Sequence, residues 1–143
     1  MLIAYGSVYG HTENAAEALA MDLRERGVKK IAMFDVSVTH PSYIVSEAFR
    51  FGKLAFLSST YNSGIFPAME TLLHDLKAHA LQKRTVALVE NGSWAPTAGK
   101  QMREILSSMQ NMNILENTIS IRSALNEDTR SQLREMAERL AEA

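Results

Sequence analysis

Residues 5–12 read Tyr-Gly-Ser-Val-Tyr-Gly-His-Thr and stand between an apolar run and a helical pattern. The apolar residues 1–5 predict a buried strand, and the apolar spacing after Thr12 predicts a helix that ends at Gly27. The N–H groups that begin such a helix lack intrahelical acceptors and lie at the positive end of the helix dipole, so they suit a phosphate group. Since the stretch also carries two glycines, hydroxyl groups and no acid, we expect residues 7–12 to anchor a phosphate-bearing cofactor.

The rest of the chain repeats this alternation of strand and helix. Further strands are predicted at residues 30–36, 53–58, 85–89 and 117–121, and further helices are predicted to begin near Ser42, Pro67, Thr97 and Asn126. Five strands joined in this way favour a parallel sheet with right-handed crossovers and helices on both faces. The number of strands favours the doubly wound order 2-1-3-4-5 over a six-stranded dinucleotide fold. Residues 1–143 are therefore expected to form one α/β domain.

Composition excludes several classes of function. The 143 residues are 46% hydrophobic and 22% charged, which is typical of a globular domain. A net charge of −1 gives no excess of basic residues with which to bind nucleic acid. The absence of cysteine excludes disulfides, thiolate metal sites and cysteine nucleophiles. No apolar run approaches the roughly 20 residues of a membrane span and no signal peptide precedes the first strand, so we expect a cytoplasmic protein that acts away from membranes. Because Met1 already begins the first strand, the chain is either minimal or a domain of a longer protein.

Three loops should meet at one edge of the predicted sheet. Ligands of doubly wound sheets bind beyond the carboxyl ends of the strands, at the point where the strand order reverses. The loops at that point are residues 7–12, 58–66 and 91–97, and each has hydroxyl or amide groups, a glycine and an aromatic residue. The first loop can hold a phosphate, and the other two can hold a flat ring.

These loops resemble those of flavodoxins. The segment Ser7-Val8-Tyr9-Gly10-His11-Thr12 is similar to the flavodoxin phosphate loop, hydroxyl-x-hydroxyl-Gly-x-Thr. The segment Thr60-Tyr61-Asn62-Ser63-Gly64-Ile65-Phe66-Pro67 closely resembles the second FMN loop in the flavodoxin domain of flavodiiron proteins (A-type flavoproteins), and Gly92-Ser93-Trp94 falls where that family has its third. The resemblance covers essentially the whole chain. It implies a flavodoxin-like three-layer sandwich, with the five-stranded sheet in the middle, that binds FMN.

The resemblance also implies a set of cofactor-binding residues. They are Ser7, Val8, Tyr9, Gly10, His11, Thr12, Ser59, Thr60, Tyr61, Asn62, Gly64, Asn91, Gly92, Ser93 and Trp94. Hydroxyl groups of Ser7, Tyr9 and Thr12 would face the phosphate, together with backbone N–H groups of the other first-loop residues. Since this loop has no arginine or lysine, the phosphate would be held by neutral dipoles alone.

The second and third loops would hold the flavin itself. Thr60 and Tyr61 would line the ribityl chain and the ring, Trp94 would stack on one ring face, and residues 91–93 would reach the pyrimidine edge. In flavodoxins a peptide of the second loop flips to bond the N5–H of the reduced flavin. Residues 62–64 are the corresponding stretch here, where a glycine can adopt an unusual φ at little cost.

Ordinary structural roles compete with each of these interpretations. Residues 7–12 could form only a capped turn, Trp94 and Tyr61 could be packed aromatic side chains, and Asn62 could stabilise its own turn. The four histidines are expected at the surface. The spacing of His74 and His79 does not place them on one helix face, so no metal site is predicted.

The resemblance implies an electron-transfer module that has no catalytic residues or substrate site of its own. Its partners would be redox proteins: a reductase or rubredoxin-type donor, and an acceptor such as the diiron site of a flavodiiron oxygen or nitric oxide reductase. The His-x-Glu-x-Asp diiron pattern of that family is absent from this sequence, so the diiron domain would lie elsewhere. The charge of −1 also departs from the strongly acidic surface of free flavodoxins, which favours a tethered domain or an apolar contact with the partner.

Two other functions were weighed against this one. A small stand-alone NAD(P)H-dependent FMN or quinone reductase would need a place for nicotinamide or quinone over the flavin, and the short loops contain no insertion for it. A signalling receiver domain shares the strand order but needs acids at the ends of its first and third strands. Those ends read Gly6-Ser7 and Ser58-Ser59 here, which excludes a receiver.

Overall fold

The computed structural model describes residues 1–92, 96–122 and 124–143, and within them the chain forms seven strands and five helices. The strands are β1 (Leu2–Gly6), β2 (Ala32–Asp35), β3 (Lys53–Tyr61), β4 (Gly64–Ile65), β5 (Thr85–Asn91), β6 (Asn113–Ile114) and β7 (Ile119–Ile121). The helices are α1 (His11–Glu25), α2 (Pro41–Ala48), α3 (Pro67–Ala78), α4 (Ala98–Ser107) and α5 (Glu127–Glu142).

The main sheet is parallel and runs in the order β2-β1-β3-β5-β6, with β7 also paired to β5. This confirms the predicted doubly wound order. Helices α1 and α5 cover one face of the sheet, and α2, α3 and α4 cover the other. Alternate residues of β1 reach opposite cores, with Leu2 on the α2–α4 side and Ile3 on the α1–α5 side, as expected for a parallel strand buried on both faces.

The part of the chain that the structure describes has seven strands where five were predicted, because the fifth position is divided between β6 and β7 and because β4 forms a short hairpin with the end of β3. β6 pairs with the beginning of β5 and β7 with its end, whereas a single strand was predicted at residues 117–121. The guanidinium of Arg103 donates to the carbonyl oxygen of Leu115 at 2.7 Å and to the Thr118 hydroxyl at 3.0 Å. These bonds draw the segment between β6 and β7 towards α4, which interrupts the pairing with β5.

Strands β3 and β5 are longer than predicted, and this matters for the candidate site. Their parallel pairing continues to Ser59 opposite Asn91, and β4 folds back on Thr60 and Tyr61. Residues that were placed in loops therefore lie at the ends of hydrogen-bonded strands. Such strand ends hold side chains more rigidly than loops do.

The turn between β3 and β4 has an unusual backbone. Asn62 and Ser63 have φ angles of 47° and 63°, and they are the two central residues of a two-residue hairpin. Positive φ at both positions defines a type I′ turn, whose twist matches that of the paired strands. The left-handed conformation of this turn thus lies at Asn62 and Ser63, before Gly64.

Helix starts agree with the sequence patterns in part. Helix α5 starts at Asn126 as predicted, and the Asn126 side chain caps it by accepting from the Thr129 N–H at 2.8 Å. Helix α2, in contrast, begins at Pro41, and the N-cap is His40, whose imidazole accepts from the Ser42 N–H at 3.2 Å. The helix therefore begins one residue before Ser42, because Pro41 fits the first helical position.

No helix in the described ranges has both the length and the apolar character needed to cross a bilayer.

Candidate functional site

A cavity of about 240 Å³ lies at the carboxyl edge of the sheet, where β1, β3 and β5 end. It is lined by Val8, Tyr9, His11, Ser59, Thr60, Tyr61, Asn62, Asn91 and Gly92. All nine residues belong to the predicted cofactor-binding set, and they come from all three predicted loops. The structure brings these loops together, while the role of each residue in binding stays a prediction.

The first loop forms a tight turn into α1. Gly10 is the N-cap of this helix and has a φ angle of +83°, a conformation that side chains with a Cβ rarely adopt. The Gly10 N–H donates to the Ser7 hydroxyl oxygen at 2.9 Å, which closes the turn. The N–H groups of His11 and Thr12 open the helix and have no acceptor among the described residues. They are therefore available to an anion.

Ser59 joins the first loop to the end of β3. Its hydroxyl lies 2.9 Å from the Thr12 hydroxyl and accepts from the Val8 N–H at 3.4 Å. Thr12 itself is buried. The hydroxyl groups of Ser7 and Thr12, expected to face the phosphate directly, thus also bind partners within the protein. Their bonds fix the shape of the loop before any ligand arrives.

Two aromatic side chains form an exposed rim around the cavity. Tyr9 is 87% exposed and Tyr61 is 48% exposed, although both line the opening. Large exposed aromatic side chains at a cavity mouth are available to stack on a flat ligand. Trp94, which was predicted to stack on the ring, lies outside the described residues, as does Ser93.

The donor set of the cavity fits a ligand with a polar chain. The hydroxyl oxygen of Thr60 is buried and has no hydrogen-bond partner among the described residues. A Cβ on Gly92 would lie 3.2 Å from both the Cβ and the hydroxyl oxygen of Thr60, so the glycine keeps the space beside this hydroxyl free. An unpaired buried hydroxyl is costly, and a ligand hydroxyl or carbonyl in the cavity would pair it.

Close packing behind the cavity depends on Gly6 at the end of β1. A Cβ at this position would lie 2.7 Å from the Phe66 ring and 3.1 Å from a methyl group of Val36. Phe66 precedes α3, and its N–H donates to the Ser58 hydroxyl at 3.1 Å. Gly6 therefore lets the chain after β4 pack against the end of β1, which the sequence pattern alone did not indicate.

Glu90 is the acid nearest to the third loop, yet its carboxylate binds α4 and β7. One oxygen accepts from the Gly99 N–H at 2.8 Å, and the other accepts from the Ser120 hydroxyl. The residue is buried and precedes Asn91 in β5. Side chains alternate between the two faces of a strand. Glu90 therefore lies on the face of β5 opposite to Asn91, which lines the cavity.

A second concavity of about 290 Å³ lies between α5 and the segment that joins β6 to β7. Its lining includes Asn117, Gln132 and Arg139. None of the predicted site residues lines it, and it does not lie at the switch point of the sheet. Of these two cavities, the one between the three loops is therefore the candidate ligand site.

The Tyr5 side chain, near the end of β1, lies in an acidic environment. Its hydroxyl donates to a carboxylate oxygen of Glu13 at 3.4 Å. Burial, followed by the charges of Glu13 and Asp35, raises the pKa of Tyr5 from 10.0 to about 12. Each of these effects disfavours the phenolate, so the hydroxyl stays protonated as a donor throughout the physiological range.

This shift predicts a pH-dependent stability. The folded state keeps the Tyr5 proton between pH 10 and 12, whereas the unfolded state releases it, so stability falls as the pH rises through this window. The Tyr5→Phe variant should lose less stability than wild type between pH 9 and 11.5, by on the order of 1 kcal/mol. Urea denaturation at the two pH values measures the difference. Equal losses in the two proteins would contradict the shift.

The family model for flavodoxin matches residues 3–139. The chain belongs to the flavodoxin family. FMN is the cofactor of this family and fold, and the residues around the cavity fit it. Within the described residues no group of three or more His, Cys, Asp or Glu side chains could hold a metal ion.

Individual relatives include both long and short proteins. The rubredoxin-oxygen oxidoreductase of Megalodesulfovibrio gigas is 26% identical over 143 residues, which are 100% of this chain and 35% of that protein. The solved rubredoxin oxygen:oxidoreductase from Desulfovibrio gigas superposes with a TM-score of 0.92 at 25% identity, over 99% of this chain and 35% of that one. A flavodoxin from the domain Archaea gives 0.86 at 19% identity, over 99% and 95%. The flavodoxin family member described here thus spans about a third of the length of the curated relative.

Proposed function

We propose that this chain is the FMN-binding electron-transfer module of a flavodiiron-type oxidoreductase system in the cytoplasm. The bound FMN would supply the redox chemistry, while the protein binds and orients it and excludes water from one side. The observation that carries the proposal is the cavity at the switch point. Within the part of the chain that the structure describes, the helix N–H groups at one end of it and the Thr60 hydroxyl inside it have no hydrogen-bond partner.

The proposed partners are redox proteins. The similarity over the whole chain to a rubredoxin-oxygen oxidoreductase supports a rubredoxin-type donor. Since the chain corresponds to only 35% of that relative, the acceptor we propose is a diiron centre in another domain or protein. The exposed Val8, Tyr9 and Tyr61 side chains around the cavity suit an apolar contact with such partners, in keeping with a net charge of −1.

Reconstitution with flavins tests both the identity of the cofactor and the proposed phosphate-binding role of residues 7–12. The purified chain should bind one FMN per molecule and should bind FMN at least about ten-fold more tightly than riboflavin, because the first loop contacts the phosphate. Flavin fluorescence titration measures both affinities. A chain that binds no FMN contradicts the proposal, and equal affinity for FMN and riboflavin contradicts the assignment of residues 7–12.

Electron transfer is tested with the FMN-loaded chain. Reduced rubredoxin should reduce the bound flavin in stopped-flow experiments, while NADH and NADPH should reduce it slowly without a separate reductase. Rapid oxidation of NADH or NADPH by the isolated chain would instead favour a small stand-alone FMN or quinone reductase.

A further inference from the structure

Thr97 occupies the N-cap of α4 but does not use its side chain as a cap. Its hydroxyl donates instead to the carbonyl oxygen of Ser63 at 2.7 Å. The Gly99 N–H, one of the helix-opening groups that an N-cap hydroxyl ordinarily satisfies, binds the Glu90 carboxylate at 2.8 Å. Because Glu90 takes over the capping role, the Thr97 hydroxyl is available to hold the β3–β4 hairpin.

A second side chain of α4 binds the same carbonyl group. The Gln101 amide donates to the Ser63 oxygen at 2.9 Å, from one helical turn beyond Thr97. A Cβ on Gly64 would lie 3.3 Å from the other amide atom of Gln101, so Gly64 leaves room for this side chain. One carbonyl group thus accepts from two side chains of a distant helix.

The hairpin needs such support because its own sequence suits it poorly. A type I′ turn requires positive φ at both central positions, and glycine is strongly preferred at the second. Here that position is Ser63, with a φ angle of 63°, which costs a residue with a side chain conformational free energy. The two bonds from α4 offset this cost by binding the carbonyl group of the strained residue.

The two residues that precede Ser63 line the cavity. Tyr61 and Asn62 form the wall that the β3–β4 hairpin contributes. Their position depends on the hairpin, which is paired to the sheet through only Thr60–Ile65 and Tyr61–Gly64. A loss of the bonds from α4 would therefore loosen this wall while leaving the main sheet intact.

We propose that Thr97 and Gln101 are positioning residues that hold the hairpin, and with it Tyr61 and Asn62, in the conformation that binds FMN. The inference rests on the proposed function of the cavity and extends it to two residues more than 30 positions away in the sequence. It also explains why Ser63 is tolerated where glycine is preferred. Neither residue is among the described residues that line the cavity, so each would act through the Ser63 carbonyl group.

The test uses variants that keep side-chain size but remove the donors. Thr97→Val and Gln101→Met should each weaken FMN binding, and the double variant should weaken it by about ten-fold or more. In the cofactor-free protein, hydrogen exchange of residues 60–66 should become faster in the double variant, with exchange in β1 and β5 unchanged. Gln132→Met removes a hydrogen bond from the Gln132 side-chain amide to the Asp128 carboxylate on α5. It serves as the matched control and should change neither measurement.

Rescue separates positioning from general destabilisation. Ser63→Gly keeps the carbonyl group but removes the cost of positive φ, so it should restore most of the FMN affinity in the double variant. Unchanged FMN affinity and hydrogen exchange in the double variant would overturn the inference, as would a loss of affinity that Ser63→Gly does not restore. If the wild-type chain bound no FMN, the proposed function would fail, whereas the hydrogen exchange of residues 60–66 would still decide whether α4 holds the hairpin.

Discussion

Gly92→Val is expected to weaken FMN binding at least about 100-fold, or about 2.7 kcal/mol. Gly92 lines the cavity, and its lack of a side chain leaves space beside the Thr60 hydroxyl, which has no partner among the residues that the structure describes. A Cβ there would lie 3.2 Å from the Thr60 side chain and 3.5 Å from Pro96, and the two methyl groups of valine would extend further into the opening. The backbone is fixed by the Gly92 N–H, which donates to Ile121 at 3.0 Å, so it cannot easily move aside.

Side chains of increasing size at position 92 test whether the loss of FMN affinity comes from lost space. Gly92→Ala should give a smaller loss than valine, because a single methyl group requires Thr60 to shift by only a few tenths of an ångström. Gly52→Ala is the matched control, since no atom lies within 4 Å of its Cβ, and it should bind FMN like wild type. Fluorescence titration gives the affinities, and thermal unfolding of the cofactor-free proteins verifies that they fold. A valine variant that binds FMN within about three-fold of wild type would show that this space is not part of the site.

Local patterns were enough to predict the first loop and its place in the fold. Glycine at position 10 and the hydroxyl residues around it dictate a turn and a helix start from neighbouring residues alone. The parallel sheet was predicted from short connections between apolar runs, and its strand order from the number of those runs. The turn depends on neighbouring residues. The strands of the sheet pair over long sequence distances, as Leu2 does with Leu54, but general rules of connection restrict their order.

The hairpin and the divided edge strand depend on contacts between distant residues. The segment Asn62-Ser63 lacks the Asn-Gly signal of a type I′ turn, and its conformation is supported by Thr97 and Gln101 of α4. Similarly, the division between β6 and β7 involves Arg103. No local pattern in either segment indicates such a partner, which is why the sequence predicted a loop in one case and a single strand in the other.

Glu90 and Thr97 show that the partners of single side chains are also hard to predict from the sequence. Thr97 was correctly placed at the start of a helix, but a threonine there is expected to cap it. The cap comes from Glu90 in β5, and no local pattern in the sequence indicates this partner. The chemistry of a side chain can thus be predicted from its type, whereas its partner is decided by the packing of β5 against α4.

Arg130→Ala is expected to lower the free energy of unfolding by about 3 kcal/mol, the lower end of the range for breaking a buried ion pair, because the Arg130 side chain is itself 26% exposed. Asp22 of α1 is 1% exposed, and its carboxylate is bound by both terminal nitrogens of Arg130, with the longer bond at 3.0 Å. The bond to Asp22 raises the pKa of Arg130, so the guanidinium is charged at every accessible pH. Its removal leaves a buried carboxylate that Arg26 does not neutralise, because the Arg26 guanidinium binds the Asp22 carbonyl group.

Two controls identify burial as the cause. Arg50→Ala removes an exposed pair with Glu47, in which the Arg50 side chain is 70% exposed, and should cost less than about 1 kcal/mol. Removing both buried charges, with Asp22→Leu and Arg130→Met together, should cost less than Arg130→Ala alone, because no unpaired charge remains. Urea denaturation at pH 7 provides the free energies, and similar losses for Arg130→Ala and Arg50→Ala would contradict a buried pair. Asp22 lies about 18 Å along α1 from Gly10, so Arg130→Ala should retain FMN affinity under conditions in which it is folded, whereas Gly92→Val loses affinity while folded.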